Sequence, residues 1–298
     1  MLGSAIKSTA TDYEICAVGS KDYNLNNFLD TDRMIKDINP DAIIHLAAKV
    51  GGVKANTDNV AEFYTDNIQI NTNVLSAAHH NNIHRVVSLL STCIYPDKAS
   101  YPLTEQQIHA GPPHQSNFGY AYAKRMLDVQ SQAYRQQYSH RYITVVPNNL
   151  FGEHDNFDLE NSHVIPAMIR KMYEAKLENK DVVLWGDGSP LREFTYSKDL
   201  AKILLFLLDR YDEPTPINVG NTKELSIKHV AQTIADTLGF TNRIIWDIAK
   251  PMGQHRKPSS NSRLLQLGWN DTDYTDFKQS INATCEWFIS QYPNVRGI

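Results

Sequence analysis

The chain of 298 residues is 42% hydrophobic and 21% charged, an ordinary globular balance, and is long enough to bury one large core or two lobes. With 29 Lys plus Arg against 33 Asp plus Glu, the net charge of −4 provides no broad basic field for a nucleic acid. The three cysteines, Cys16, Cys93 and Cys285, are far apart and show no CxxC spacing, so they offer neither a disulfide framework nor a zinc site and point to a reducing compartment, the cytoplasm.

The histidines include no HExxH-type ligand pair, so no metal is expected. No charged segment followed by an apolar stretch marks a signal peptide, and the longest apolar run, Ile203 to Leu208, is too short to span a bilayer. The basic run His255-Arg256-Lys257 reads as a solvated loop.

In chain order, the opening MLGSAI resembles the end of a glycine-rich phosphate loop entering a helix, yet no strand precedes it. Buried strands are predicted at 13–18 (YEICAV) and 41–48 (DAIIHLAA), then a helix over about 60–82 and a strand at 85–90. A helix around 118–138 leads to a strand at 142–147. Polar residues 148–163 read as a functional loop. A helix at about 163–178, a strand at 181–185, a helix at about 197–211, a strand at 216–220 and a helix at about 226–239 follow. The chain closes with a strand at 243–247 and a helix near 275–291.

Continuous apolar strands alternating with helices predict an α/β fold, a doubly wound parallel sheet, with a smaller C-terminal lobe. Residues 1–150 form the expected nucleotide-binding lobe and 151–298 mainly the substrate lobe, with the segment near 197–220 returning to the first.

Two tyrosine–lysine pairs have the four-residue spacing that puts both side chains on one helical face: Tyr120 with Lys124, and Tyr274 with Lys278. A Lys ammonium beside a phenol favours phenolate and makes it a better acid–base group. Context favours the first pair. The strand at 85–90 runs into Ser91-Thr92-Cys93, at the sheet edge where doubly wound folds bind ligands, and a hydroxyl there can share a substrate oxygen with Tyr120. Tyr122 points to another face and reads as packing.

A serine ending this strand and a downstream YxxxK resemble the extended short-chain dehydrogenase/reductases. Within them, HLAAKVGGVKAN (45–56), STCIYP (91–96), NLFGEHDNF (149–157), NSHVIPAM (161–168) and LREF (191–194) resemble the GDP-L-fucose synthase family. That resemblance implies an NADPH-dependent 3,5-epimerase and 4-reductase acting on GDP-4-keto-6-deoxy-D-mannose, and a homodimer built around the helix carrying Tyr120. It implies Ser91, Cys93, Tyr120, Lys124 and His163 as catalytic residues, Cys93 and His163 exchanging protons at C3 and C5. For NADP(H) it implicates Gly3, Leu90, Ser91, Lys124, Pro147, Asn148, Asn149, Leu150 and His163. Ser20 and Lys21, after the second strand, suit a 2′-phosphate, although the family's Arg is missing there. For the GDP-sugar it implicates Lys171, Trp185, Arg192 and Ser260, with Lys171 and Ser260 departing from the family's usual Arg and Asp.

Full-length members open with a strand and a GxxGxxG loop whose last glycine matches Gly3, so the chain reads as a fragment, or as one started at an internal Met, lacking the first strand. The alternatives are another nucleotide-sugar epimerase or dehydratase of the superfamily, or an inactive Rossmann-type binding protein.

Overall fold

The computed structural model describes residues 1–250 and 255–298. Helix α1 (Leu2–Thr9) buries Leu2, Ala5 and Ile6 along one stripe, and α2 (Phe28–Ile38) starts where the Asn27 side chain accepts from the Asp30 amide. Strand β1 (Ile43–His45) is followed by α3 (Val53–Asp58) and α4 (Val60–His80). The buried residues of α4 include Phe63, Asn67, Asn71, Val74 and Ala78, spaced to face one neighbour. That neighbour is α5 (Phe118–Tyr138), reached through the fully buried β2 (Arg85–Leu89).

From there the chain runs through β3 (Arg141–Pro147), β4 (Asn149–Phe151), α6 (Val164–Leu177), β5 (Val182–Trp185), β6 (Leu191–Tyr196) and α7 (Ser197–Arg210). Strands β7 (Ile217–Val219) and β8 (Glu224–Ser226), helix α8 (Ile227–Leu238), β9 (Ile244–Asp247), α9 (Ser262–Gln266) and α10 (Phe277–Gln291) complete it.

The principal sheet has the order β1-β2-β3-β7, every pairing parallel, with His45 beside Ser88 and Ser88 beside Thr144. Its two faces carry separate cores: α1 and α7 cover Val87, Ile143, Val145 and Ile217, while α2, α4 and α5 cover Val86, Tyr142 and Val146. A third core lies between α6, α8 and α10, around Phe157, Met172, Val230 and Phe288. Small sheets of β4-β6-β8 and β5-β9 lie beside it.

Two expectations need correction. The segment 13–18 forms no strand; Cys16 and Val18 are exposed. Strand β1 is the edge of the described sheet, and no described strand pairs with 13–18, so its backbone stays in irregular conformation; Ile15 still packs against the core, while Cys16 to Val18 are left uncovered. The polar stretch 148–163 is not all loop, because β4 forms inside it and pairs with β6. Strands β4, β6 and β8 are three to six residues long and half polar, too short for a clear period.

Candidate active site

The site grows from the C-terminal ends of β2 and β3 and the first turns of α5. Ser91, in extended conformation, caps a short 3₁₀ turn at Thr92–Ile94, its hydroxyl accepting from the Cys93 amide at 3.4 Å. One turn inside α5, Tyr120 and Lys124 share a face, the Lys124 ammonium 6.0 Å from the centre of the Tyr120 ring. Lys124 is buried and donates to the Leu89 carbonyl at 2.8 Å, which ties α5 to the end of β2.

Burial lowers the Lys124 pKa to about 8, partly offset by Cys93. Burial raises the Tyr120 phenol above its usual range, and the neighbouring Cys93 adds to the rise. The expected lowering of the phenol by Lys124 is not seen: the ammonium donates to a backbone carbonyl, and burial disfavours the phenolate. Cys93 is raised by burial, against the opposing pull of Ser91, Lys257 and Lys124.

The structure thus gathers Ser91, Cys93, Tyr120 and Lys124, and adds a residue the sequence reading had set aside. Lys257, assigned above to a solvated basic loop, is half-buried; burial lowers its pKa and Arg192 adds to that lowering, while its own charge lowers that of Cys93. Its place is held by Glu193, a buried carboxylate that accepts from the Ser259 amide at 2.8 Å and the Ser259 hydroxyl at 2.6 Å. Lys257 carries no sequence signal beyond its charge, whereas Glu193 lies in the LREF motif without being singled out there.

His163 precedes α6, and its neighbour Ser162 lies against Gly52 in the loop before α3. Burial raises the Asp155 carboxyl, opposed first by the Asn156 amide that donates to it at 2.8 Å and then by His163. This acid was also missed, one Asp among several in a polar loop.

The other proposed positions differ. Trp185 is 59% exposed, which rules out the core role that a strand end allows, and the ammonium groups of Lys171 and Lys250 stand 5.9 and 5.7 Å from its ring. Arg192 is half-buried, one guanidinium nitrogen donating to the Leu191 carbonyl at 2.7 Å. The Ser260 amide donates to Leu103, and its hydroxyl pairs with Ser262. Asn149 and Leu150 are at least partly open, whereas Leu90 and Pro147 are buried and can offer only backbone.

The Asn148 side chain is engaged within the protein. Its amide donates to the Asn221 carbonyl at 2.9 Å and accepts from Thr195 at 2.6 Å, inside a buried network that also reaches Glu193. Gly220 (φ +123°) lies so close that a Cβ there would meet Thr195 and Asn148 within 2.7 Å. Gly3 sits in the first turn of α1 with open space where a Cβ would be, and Ser20 and Lys21 lie on an exposed turn.

A buried lysine and a tyrosine one turn apart on a helix, at the carboxyl edge of a parallel sheet, define a dehydrogenase-like nucleotide-binding protein. The family model described as the NAD dependent epimerase/dehydratase family matches residues 4–220. The chain is 44% identical over 279 residues to a GDP-L-fucose synthase of Dictyostelium discoideum, covering 93% of this chain and 87% of that protein. To the Escherichia coli K12 GDP-L-fucose synthase it is 35% identical over 316 residues, covering 100% and 96%. The structure of a Naegleria fowleri GDP-L-fucose synthetase bound to NADP superposes with a TM-score of 0.91 at 38% identity, covering 99% of this chain and 92% of that one. The chain belongs to the NAD dependent epimerase/dehydratase family and, within it, to the GDP-L-fucose synthases.

Proposed function

We infer that the protein converts GDP-4-keto-6-deoxy-D-mannose to GDP-L-fucose by 3,5-epimerisation and NADPH-dependent 4-reduction, a reading that its GDP-L-fucose synthase relatives support. The observation that carries it is the grouping of Tyr120, Lys124, Ser91 and Cys93. A 4-epimerase or 4,6-dehydratase is not favoured, since those reactions do not call for the Cys93 and His163 pair.

The residues fit a nicotinamide cofactor. Lys124 has three ammonium donors and spends one on Leu89, leaving others for ribose hydroxyls, with Ser91 and Asn149 at the adjoining strand ends. Gly3, Ser20 and Lys21 are proposed for the phosphate groups. Bound NADPH supplies the hydride for C4.

Cys93 and His163 exchange the protons at C3 and C5. Tyr120 and Ser91 hold the C4 oxygen as each enolate forms, and Tyr120 protonates that oxygen on reduction. The Lys124 charge steadies the phenolate that remains. Trp185, Lys171, Arg192, Ser260 and Lys257 are assigned to the GDP-sugar, the cations to its diphosphate.

The nucleotide-binding lobe comprises residues 1–150 with 197–220, and the GDP-sugar lobe the rest. The exposed apolar residues Tyr64, Phe118, Tyr122, Met126 and Val129 on α4 and α5 support a homodimer packed on these helices. No helix among the described residues is long and apolar enough to cross a membrane. A cytoplasmic location rests on the cysteine usage.

The test is incubation of the full chain with GDP-4-keto-6-deoxy-D-mannose and NADPH in D₂O. Deuterium at C3 and C5 of a GDP-L-fucose product is the expected outcome. NADPH oxidation without epimerised product would sink the reading.

A further inference from the structure

One buried polar chain beside the catalytic pair has no part in the chemistry just described. His45, at the end of β1, is 4% exposed, and its Nε2 lies 3.0 Å from Asn71 Oδ1 in the middle of α4. Asn71 is itself 1% exposed and donates from Nδ2 to the Ala123 carbonyl at 3.4 Å. Ala123 stands between Tyr120 and Lys124 on α5.

The roles in this chain are fixed by elimination. An amide has its donors on nitrogen and its acceptor on oxygen, so an Asn71 that donates to Ala123 turns its oxygen to His45. His45 must then carry its proton on Nε2. Burial, aided by the Lys124 charge, lowers the imidazole pKa to about 4, so the ring is neutral and holds one proton at physiological pH. A neutral ring also leaves Lys124 the only cation of the two.

We propose that His45 is a positioning residue: as a neutral Nε2–H donor it fixes the Asn71 amide that holds the Ala123 carbonyl, and so sets where the Tyr120 phenol and the Lys124 ammonium stand. The proposal rests on the catalytic reading of Tyr120 and Lys124 above. The link runs from the edge strand, through the middle of α4, to the first turns of α5, and it complements the Lys124 bond to Leu89 on β2. Two anchors, on different strands, restrain both the rotation of α5 about its axis and its depth against the sheet. Without His45 the amide of Asn71 loses its orienting donor and an enclosed oxygen is left unpaired.

The experiment compares His45→Leu, His45→Gln and Tyr120→Phe in the full chain. It measures the single-turnover rate of 4-reduction, the NADPH KM, thermal stability and, in the unliganded protein, the His45 ring protons by long-range ¹⁵N NMR. His45→Leu is expected to slow the single-turnover rate roughly tenfold with the NADPH KM unchanged, since small misplacement of a reacting group costs rate rather than affinity. Gln, which keeps a side-chain N–H donor, is expected to restore most of the rate. A general loss of packing would instead lower the stability of both variants together and leave the rate per folded molecule unaltered.

The NMR spectrum is expected to show one Nε2–H form between pH 5.5 and 8. An Nδ1–H form or an imidazolium in that range overturns the proposal without reference to turnover. An inactive Tyr120→Phe beside an unimpaired His45→Leu overturns the proposal alone. A fully active Tyr120→Phe removes the catalytic reading beneath it, and the proposal falls with that reading.

Discussion

Tyr120 with Lys124 and Tyr274 with Lys278 share one sequence spacing and occupy opposite situations. The first pair lies inside a single helix, and its lysine is buried against the end of a central strand. The second pair straddles a helix start: Asp276 caps α10 by accepting from the Lys278 and Gln279 amides, which leaves Tyr274 outside the helix in extended backbone. Lys278 is exposed, and Tyr274 packs on Trp269 at 6.0 Å between ring centres. Four-residue spacing brings two side chains together only when both residues belong to the same helix. What separates the pairs is an aspartate between them.

The sharpest way to break this comparison is to remove each phenol in turn. Tyr120→Phe is expected to lower the 4-reduction rate by roughly 10²- to 10⁴-fold, the usual worth of a positioned acid–base group. Tyr274→Phe, at a half-buried position away from the catalytic residues, is expected to leave turnover within about twofold. Equal losses in steady-state reduction assays would refute the distinction.

Next comes Cys93→Ala. Solvent-deuterium incorporation at the epimerised carbon should fall by roughly 10²-fold or more, while NADPH binding, followed by fluorescence, stays as in the parent chain. Unchanged deuterium exchange would exclude the thiol as a proton carrier.

Lys124 sharpens the comparison through stability. Its folded pKa of about 8 lies below its unfolded value near 10.5, so the unfolded chain holds more protons between these pH values. Burying the charged lysine thus costs stability, on the order of 3 kcal/mol, fully below pH 8, and that cost fades as pH rises towards 10.5. Lys124→Met is expected to gain stability over the parent below pH 8, less the price of an unpaired Leu89 carbonyl, and to lose that advantage by pH 10.5. Denaturant melts across this range decide it; Lys278→Met, at an exposed site, should show no such trend.

Smaller effects are expected farther out. Met126→Glu, on the exposed face of α5, should shift the protein towards monomer in size-exclusion chromatography. Lys21→Ala should raise the NADPH KM by about fivefold at low salt and less at high salt, since a solvated charge–phosphate contact is worth up to ~1 kcal/mol.

The sequence by itself determined the parts of the fold that rest on long periodic segments. Helices α4, α5, α7 and α8 fall within two or three residues of expectation, because one buried stripe repeated over three or more turns leaves little ambiguity. Strands β2 and β3 were legible as continuous apolar runs, since a central parallel strand is covered on both faces. The motif residues at the strand ends and the YxxxK helix were legible for the same local reason.

Only the tertiary structure decided the rest. YEICAV has the composition of a buried strand, but a strand exists only with a partner to complete its ladder, and that partner is a matter of topology. That the Asn148 side chain is engaged by Thr195, Asn221 and Glu193, 45 or more positions away, has no local sign. Lys257 reads like a solvated charge until Glu193 fixes Ser259 and turns that segment inward. Burial, pKa and the identity of a hydrogen-bond partner are set by residues distant in sequence, and no local pattern carries them.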